Sequence, residues 1–138
     1  MALSNINPNN CILIVNGRRL TEWGTSDSPI SITTMNPKRE MIECQNGDAI
    51  VAERAVQMFE ITVNLKQHSA DSSFMSAIYN SSGGQAAVSY TTMNTGESFF
   101  SDEGIVVNIG DSDRGGVSAS DDTYTMQFND NVFTRGSI

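Results

Sequence analysis

The sequence predicts a mainly β fold with one short helix and one long irregular segment, and three observations carry that reading. Phe59, Ile61, Val63 and Leu65 alternate strictly with Glu60, Thr62 and Asn64, the period of a strand with one face on a core and the other on water. The period then changes abruptly. Ser69 is a good N-cap, Asp71 falls in the first turn, and Phe74, Met75 and Ile78 recur at helical spacing. Further short alternating runs follow and precede this unit, each bounded by turn-forming residues.

Taken in order, Cys11 opens a compact apolar run, residues 11–15, that ends at Asn16-Gly17, the strongest short hairpin signal. Residues 18–23 return as a second strand. After the turn residues 27–29, Ile30 and Ile32 alternate with Ser31 and Thr33 in another strand. The pattern fails over residues 35–55, which hold Pro37, charges of both signs and Asn46-Gly47. A stretch this long is read as a functional loop or a protruding hairpin. Beyond the helix, residues 81–84 break the chain. Three strands follow on the alternations Ala86/Val88/Tyr90, Ile105/Val107/Ile109 and Tyr124/Met126/Phe128. The glycines, serines and acids of residues 110–122 suit a mobile connection.

At 138 residues the chain is long enough for one core and too short for two ordinary ones, so residues 1–138 read as a single domain. Charged residues make up 17%, below the usual value of about 25%. A surface so thinly charged fits packing against neighbouring subunits, and an Asn- and Ser-rich loop habit explains the composition equally well. The net charge is −8. Residues 1–95 hold 8 acids and 6 bases, residues 96–138 hold 8 acids and 2 bases, so the excess lies in the C-terminal third. That balance excludes tight, counterion-displacing binding of a phosphate backbone, though not passage of nucleic acid past the surface. Residues 1–8 lack the basic start and apolar run of a secretory signal. No run approaches the roughly 20 apolar residues of a membrane span, so a chain made soluble in a cytoplasm is expected.

Candidate chemistry is sparse. His68 stands beside Ser69 and near Asp71, but neighbours at a helix start rarely adopt triad geometry, and capping is the better account. The segment from Asp111 to Gly116 lacks the spaced ligands and closing Glu of a calcium loop, and its single Arg114-Gly115-Gly116 lies among acids. Cys11 and Cys44 do not have zinc-ligand spacing, with His68 the only histidine to help them, and ordinary reduced thiols are expected. No cofactor or metal is expected. Arg18-Arg19 reads as a solvated edge that discourages stray strand pairing, and Trp23, the one tryptophan, as core in preference to an interface anchor. A binding sandwich would need a concave aromatic patch, yet aromatics are 7% of the chain; a hydrolase would need a base, and there is one histidine.

Three segments in order carry a family resemblance: the loop Asn46-Gly47-Asp48-Ala49-Ile50-Val51-Ala52-Glu53-Arg54, the strand Phe59-Glu60-Ile61-Thr62-Val63-Asn64-Leu65, and the polar-capped helix that starts at Ser69-Ala70-Asp71. With the early hairpin and the acidic late half, they resemble the tail tube proteins of contractile-tailed bacteriophages, related in fold to pyocin and other contractile-injection inner tubes. The resemblance covers most of the chain. It implies a β-sandwich-like or barrel-like tube subunit that forms hexameric rings stacked inside a sheath, with strands of successive subunits joined around a DNA channel. Implied partners are further copies of the chain, the tail sheath protein, and baseplate and terminator proteins at the tube ends. DNA would pass without specific binding, in a virion assembled in the host cytoplasm.

On that footing Glu60, Thr62 and Asn64, with Thr125 and Gln127, face the lumen. Residues 35–55 touch the adjacent ring through Asn36, Lys38, Arg39, Glu43, Cys44, Asn46, Gly47 and Asp48. Cys44 would then be placed to bridge Cys11 of another subunit once a particle meets an oxidising exterior.

Overall fold

The structure is a computed structural model that describes residues 10–93, 96–116 and 120–135. The opening segment read above for a signal, and residues 117–119 of the 110–122 connection, lie outside the described residues. Among the described residues nine strands and one helix follow in the order β1 (Cys11–Val15), β2 (Arg18–Leu20), β3 (Ile30–Thr34), β4 (Arg39–Glu43), β5 (Ala49–Glu53), β6 (Phe59–Leu65), α1 (Ala70–Asn80), β7 (Gln85–Thr92), β8 (Ser98–Ile109) and β9 (Asp122–Thr134). Seven strands form one antiparallel sheet in the order β2-β1-β7-β8-β9-β6-β3, and β4 and β5 form a separate two-stranded ribbon. The mainly β expectation holds. No helix among the described residues is long and apolar enough to cross a membrane.

The sheet curls on itself. Leu13, Val15, Leu20, Val88 and Tyr90 share one buried cluster with Ile61, Val63, Leu65, Met126 and Phe128. β1 and β6 are four places apart in the sheet, about 19 Å if it were flat at roughly 4.8 Å per step, and the bend that gathers them around one cluster brings the far edge of the sheet back toward β6. Residues 22–24, just past the edge strand β2, complete the turn by pairing with the far end of β6. The Gly24 N–H donates to the Asn64 carbonyl at 3.1 Å, the Lys66 N–H donates to the Glu22 carbonyl at 2.8 Å, and Trp23 bridges Leu65. Hence the strand expected over 18–23 stops at Leu20: its second half leaves β1 to stitch the opposite side of the sheet.

Asn16 and Gly17 both take positive φ, 49° and 86°, as a tight two-residue hairpin turn between β1 and β2 requires. The 56–65 alternation is realised in β6, where Ile61, Val63 and Leu65 are fully buried. The helix starts where its cap predicts, with Ser69 Oγ accepting from the Ser72 N–H at 3.1 Å, and it closes the core with Met75 and Ile78.

One alternation is corrected. Of Ile105, Val107 and Ile109, Ile105 is exposed while Val106 is buried, because the β8–β9 register shifts between Val106 and Asn108 and resets which residues point inward. β8 also begins earlier than its apolar run suggests, at Ser98, bringing Phe99 into the core. There Phe59, Phe99, Phe128 and Phe133 pack edge to face with ring centroids 5.3–5.8 Å apart.

Gly104 sits opposite Phe128 across the β8–β9 pair, and a Cβ there would strike the Phe128 ring. Phe128 is fully buried and cannot move aside. Gly104→Ala is expected to destabilise the chain by about 1–3 kcal/mol through overpacking, read as a lower denaturant midpoint at unchanged slope; an unchanged midpoint would show that the ring has room to shift.

Candidate functional site

The residues read for chemistry are engaged in holding the fold. His68 is exposed, with φ 58° in the turn before α1, while Asp71 is 1% exposed and its carboxylate is bonded elsewhere. The Asp71 carboxylate accepts from the N–H groups of Thr21 at 2.8 Å and Glu22 at 2.9 Å, and pairs with Arg18 Nε at 2.9 Å. Burial alone pushes this carboxyl up; the Glu22 and Thr21 amides and then the Arg18 guanidinium outweigh it and hold it below its ordinary value. Arg18 also lies over the Phe74 ring, 5.5 Å from its centroid. The reading of Arg18-Arg19 as a purely solvated edge is therefore corrected: β2 is an edge strand and Arg19 is exposed on it, whereas Arg18 partners the helix.

A matching anchor lies on the other side of the helix start. The Ser72 hydroxyl donates to Asp122, and the Tyr124 hydroxyl donates to the Ser72 carbonyl at 2.9 Å. Arg114 pairs with Asp122, so the Arg-Gly-Gly element is tied down at its arginine. Burial raises the Asp122 carboxyl, while Ser72, Arg114 and the His68 backbone N–H together bring it below its ordinary value. Among the described residues, no three His, Cys, Asp or Glu side chains converge as metal ligands.

Two surfaces remain as candidate sites. The first is the outer face of β3, β6, β9 and β8. Cross-strand register sets Thr33, Glu60, Gln127, Ile105 and Gln85 in one row and Ser31, Thr62, Thr125 and Asn108 in the next, with Asn64 opposite Thr123. Glu60, Thr62, Asn64, Thr125 and Gln127 are thus brought onto one face. Glu60 is the single charged residue in those rows. It accepts from Gln127 Nε2 at 3.2 Å, and Asn64 Oδ1 accepts from Thr123 Oγ1 at 2.7 Å.

The second surface is the β4–β5 ribbon, so residues 35–55 resolve as the hairpin alternative rather than a structureless loop. Asn46 and Gly47 lie in its turn, where Gly47 takes φ 90°, the Cys44 N–H donates to the Asp48 carbonyl at 2.8 Å, and Asn46 and Asp48 bond to each other. Arg39 pairs with Glu53 across the strands at 3.4 Å. At the base the Arg54 N–H donates to the Lys38 carbonyl at 2.9 Å, Gln57 Nε2 donates to the Asn36 carbonyl at 2.6 Å, and Asn131 Nδ2 donates to the Gln57 carbonyl at 2.8 Å. The mount is fixed to the body, yet every residue of β4 and β5, Glu43 included, is exposed. Cys11, on β1, and Cys44, at the ribbon turn, are both free thiols and half-buried.

Sequence reasoning missed the anchoring roles of Arg18, Asp71, Arg114 and Asp122, which join residues 8 to 53 positions apart and leave no local pattern. The ribbon strands did leave one: the apolar pairs Met41-Ile42 and Ile50-Val51 stand in mirror positions about Asn46-Gly47.

No protein-family model and no curated protein sequence matches the chain. Among solved structures it is similar to a chain in the "Virion of native gene transfer agent (GTA) particle", with a TM-score of 0.65 over 94% of this chain and 99% of that one, at 15% sequence identity. At that identity the likeness is one of fold.

Folded-state Asp71 and Asp122 both lie below their ordinary value, so the stability they contribute is complete above the unfolded value of about 3.9 and is lost as pH falls through the lowered folded values. Asp71→Ala is expected to cost roughly 2–4 kcal/mol at pH 7 by orphaning two backbone donors and Arg18, and to remove part of the acid-induced loss. Urea titrations of both proteins from pH 7 to pH 3 check this: equal stability at pH 7 would contradict the anchor.

Proposed function

We propose that the chain is a structural subunit of a phage-type tail tube, non-enzymatic, built into hexameric rings that stack to form the conduit for DNA inside a contractile sheath. The observation that carries the proposal is the β4–β5 ribbon, a rigidly mounted projection whose apolar side chains its own chain leaves exposed. An isolated two-stranded hairpin is marginal in water, and an exposed apolar surface of this kind marks an interaction site. The fold likeness to a virion component supports a place in a particle, and it extends over nearly the whole of both chains. The sheath protein, and baseplate and terminator proteins at the tube ends, complete the set of partners in this reading, with assembly in the host cytoplasm.

The polar outer face is assigned to the lumen. Its rows hold hydroxyls, amides, Ile105 and the single carboxylate of Glu60, and no Lys or Arg, so a passing polyanion finds no cation there to release its counterions. The ribbon is assigned to contact between rings.

Negative-stain microscopy of the concentrated chain is expected to show rings or tubes, and a uniform monomer at all concentrations would overturn the assignment. Because residues 38 and 54 are hydrogen-bonded to each other, the ribbon can be excised at residues 39–53 and closed with a tight turn. That variant is expected to melt like the parent and to form no tubes; normal tubes would remove the ribbon from the stacking role.

For the lumen, particles carrying Glu60→Lys are expected to assemble and to release DNA several-fold more slowly, since the substitution places a cation in a face that has none. Unchanged release kinetics would displace this face from the channel.

A further inference from the structure

The β4–β5 ribbon is apolar on both of its faces. In register, Met41 lies opposite Val51 and Ile42 opposite Ile50, and successive residues of a strand point to opposite sides. Met41 and Val51 therefore occupy one face, with the Arg39–Glu53 pair, and Ile42 and Ile50 occupy the other, with Glu40 and Ala52. All four are open to solvent, at 74% and 58% on the first face and 45% and 57% on the second. A ribbon meant to lie on one surface keeps its outer face polar, whereas strands apolar on both sides are covered on both sides.

We infer that the ribbon is inserted between two further copies of this chain, one covering the Met41–Val51 face and the other the Ile42–Ile50 face. The inference rests on the tube-subunit reading and adds to it that each ribbon engages two neighbours. The two faces look in opposite directions, so covering both takes two surfaces, one on each side of the ribbon.

The occupant is a copy of the chain because the chain carries the surface the ribbon needs. Phe100 and Val132 face each other across β8 and β9 and are 57% and 66% exposed, in a row that runs on through Ser89 and Ile14 to Arg19. That row matches the Ile42–Ile50 face in both respects, apolar against apolar and Arg19 against Glu40, the one charge on that face of the ribbon.

The test charges one face at a time: Met41→Glu with Val51→Glu, and Ile42→Glu with Ile50→Glu, each compared with the parent by sedimentation and negative stain. All four side chains are exposed in the subunit, so thermal melting is expected to stay at the parent value, and amide exchange outside the ribbon reports whether the body is intact. Each pair is expected to cut the sedimenting tube fraction at least about tenfold, the effect of losing roughly 1.4 kcal/mol per contact. Val132→Glu is expected to reproduce the Ile42/Ile50 result.

If one face tolerates charge and the other does not, the ribbon is covered on one side only; the inference falls and the tube reading stands. Should both pairs polymerise normally, the ribbon is not a contact element at all. A parent chain that never assembles would remove the tube reading and this inference together.

Discussion

A curled sheet with one buried face needs something to hold its two ends in register, and here that role falls to the buried carboxylate of Asp71. The chain leaves β2 at Thr21 and reaches β6 within three residues, so the backbone at residues 21 and 22 turns away from one strand before it meets another. Two donors are left without a ladder partner at that point. Asp71 accepts from both and is itself neutralised by Arg18. Asp71 is the buried member of this set, and a buried carboxylate left without its donors costs more than the bonds contribute when present, so closure and the carboxylate depend on each other. Its placement depends in turn on the helix, because Ser69 caps α1 and so fixes where Asp71 points. On the opposite side Ser72 meets Asp122 and Tyr124 at the start of β9, so one turn of helix joins both halves of the sheet.

Rigidity in the body gives the projecting ribbon its meaning. Gln57 and Asn131 tie the base of the ribbon to β9, beside the four-phenylalanine cluster in which Phe59 and Phe133 take part. Beyond that base, only cross-strand bonds and the turn hold β4 and β5 together. A region with few buried apolar contacts opens at low free energy, so covering the ribbon in an assembly stabilises a segment the lone subunit holds weakly. Ordering of the ribbon and any association through it would thereby be coupled.

What could be read in the sequence followed from local periodicity and turn chemistry. The alternation of Phe59 to Leu65 became β6 with its apolar residues inward, Ser69 became the cap, and Asn16-Gly17 became the tight turn, because each of those outcomes depends on residues within a few positions. Three things were not legible. The bulge at Val106 changed which of Ile105 and Val106 is buried, and a bulge is set by the partner strand rather than by the run itself. The early part of β8 was hidden because Ser101, Asp102 and Glu103 break the apolar pattern where the strand crosses the bend, and Ser101 is buried there by bonding to the Asn129 carbonyl at 2.8 Å. The anchors of Asp71 and Asp122 were hidden because their partners are distant in sequence. For the candidate surfaces, the β6 set was legible as one face from its period. The ribbon was legible as a projection but not as a two-faced one, since that needs the register of Met41 with Val51.

The acidic balance takes on a different sense once the carboxylates are placed. Read along the chain, the excess of acid in the C-terminal third argued against tight binding of a phosphate backbone. In the fold, part of that excess works inward. Asp122 holds the helix start, and Asp121 accepts from the Thr25 and Ser26 amides at 2.7 and 3.0 Å to pin the loop before β3. In the rows assigned to the lumen Glu60 is the one carboxylate, with Glu103 opposite Asn129 in the adjoining row, and the amides and hydroxyls are partly engaged with one another across the strands. Such a face has little to offer a phosphate, whether attraction or strong repulsion. A densely acidic channel would raise the energy of the DNA inside it, and a basic one would hold the DNA through released counterions. A nearly neutral face of self-satisfied polar groups avoids both, so the lack of cations, more than any surplus of carboxylates, is what a low-friction conduit built from this chain would rely on.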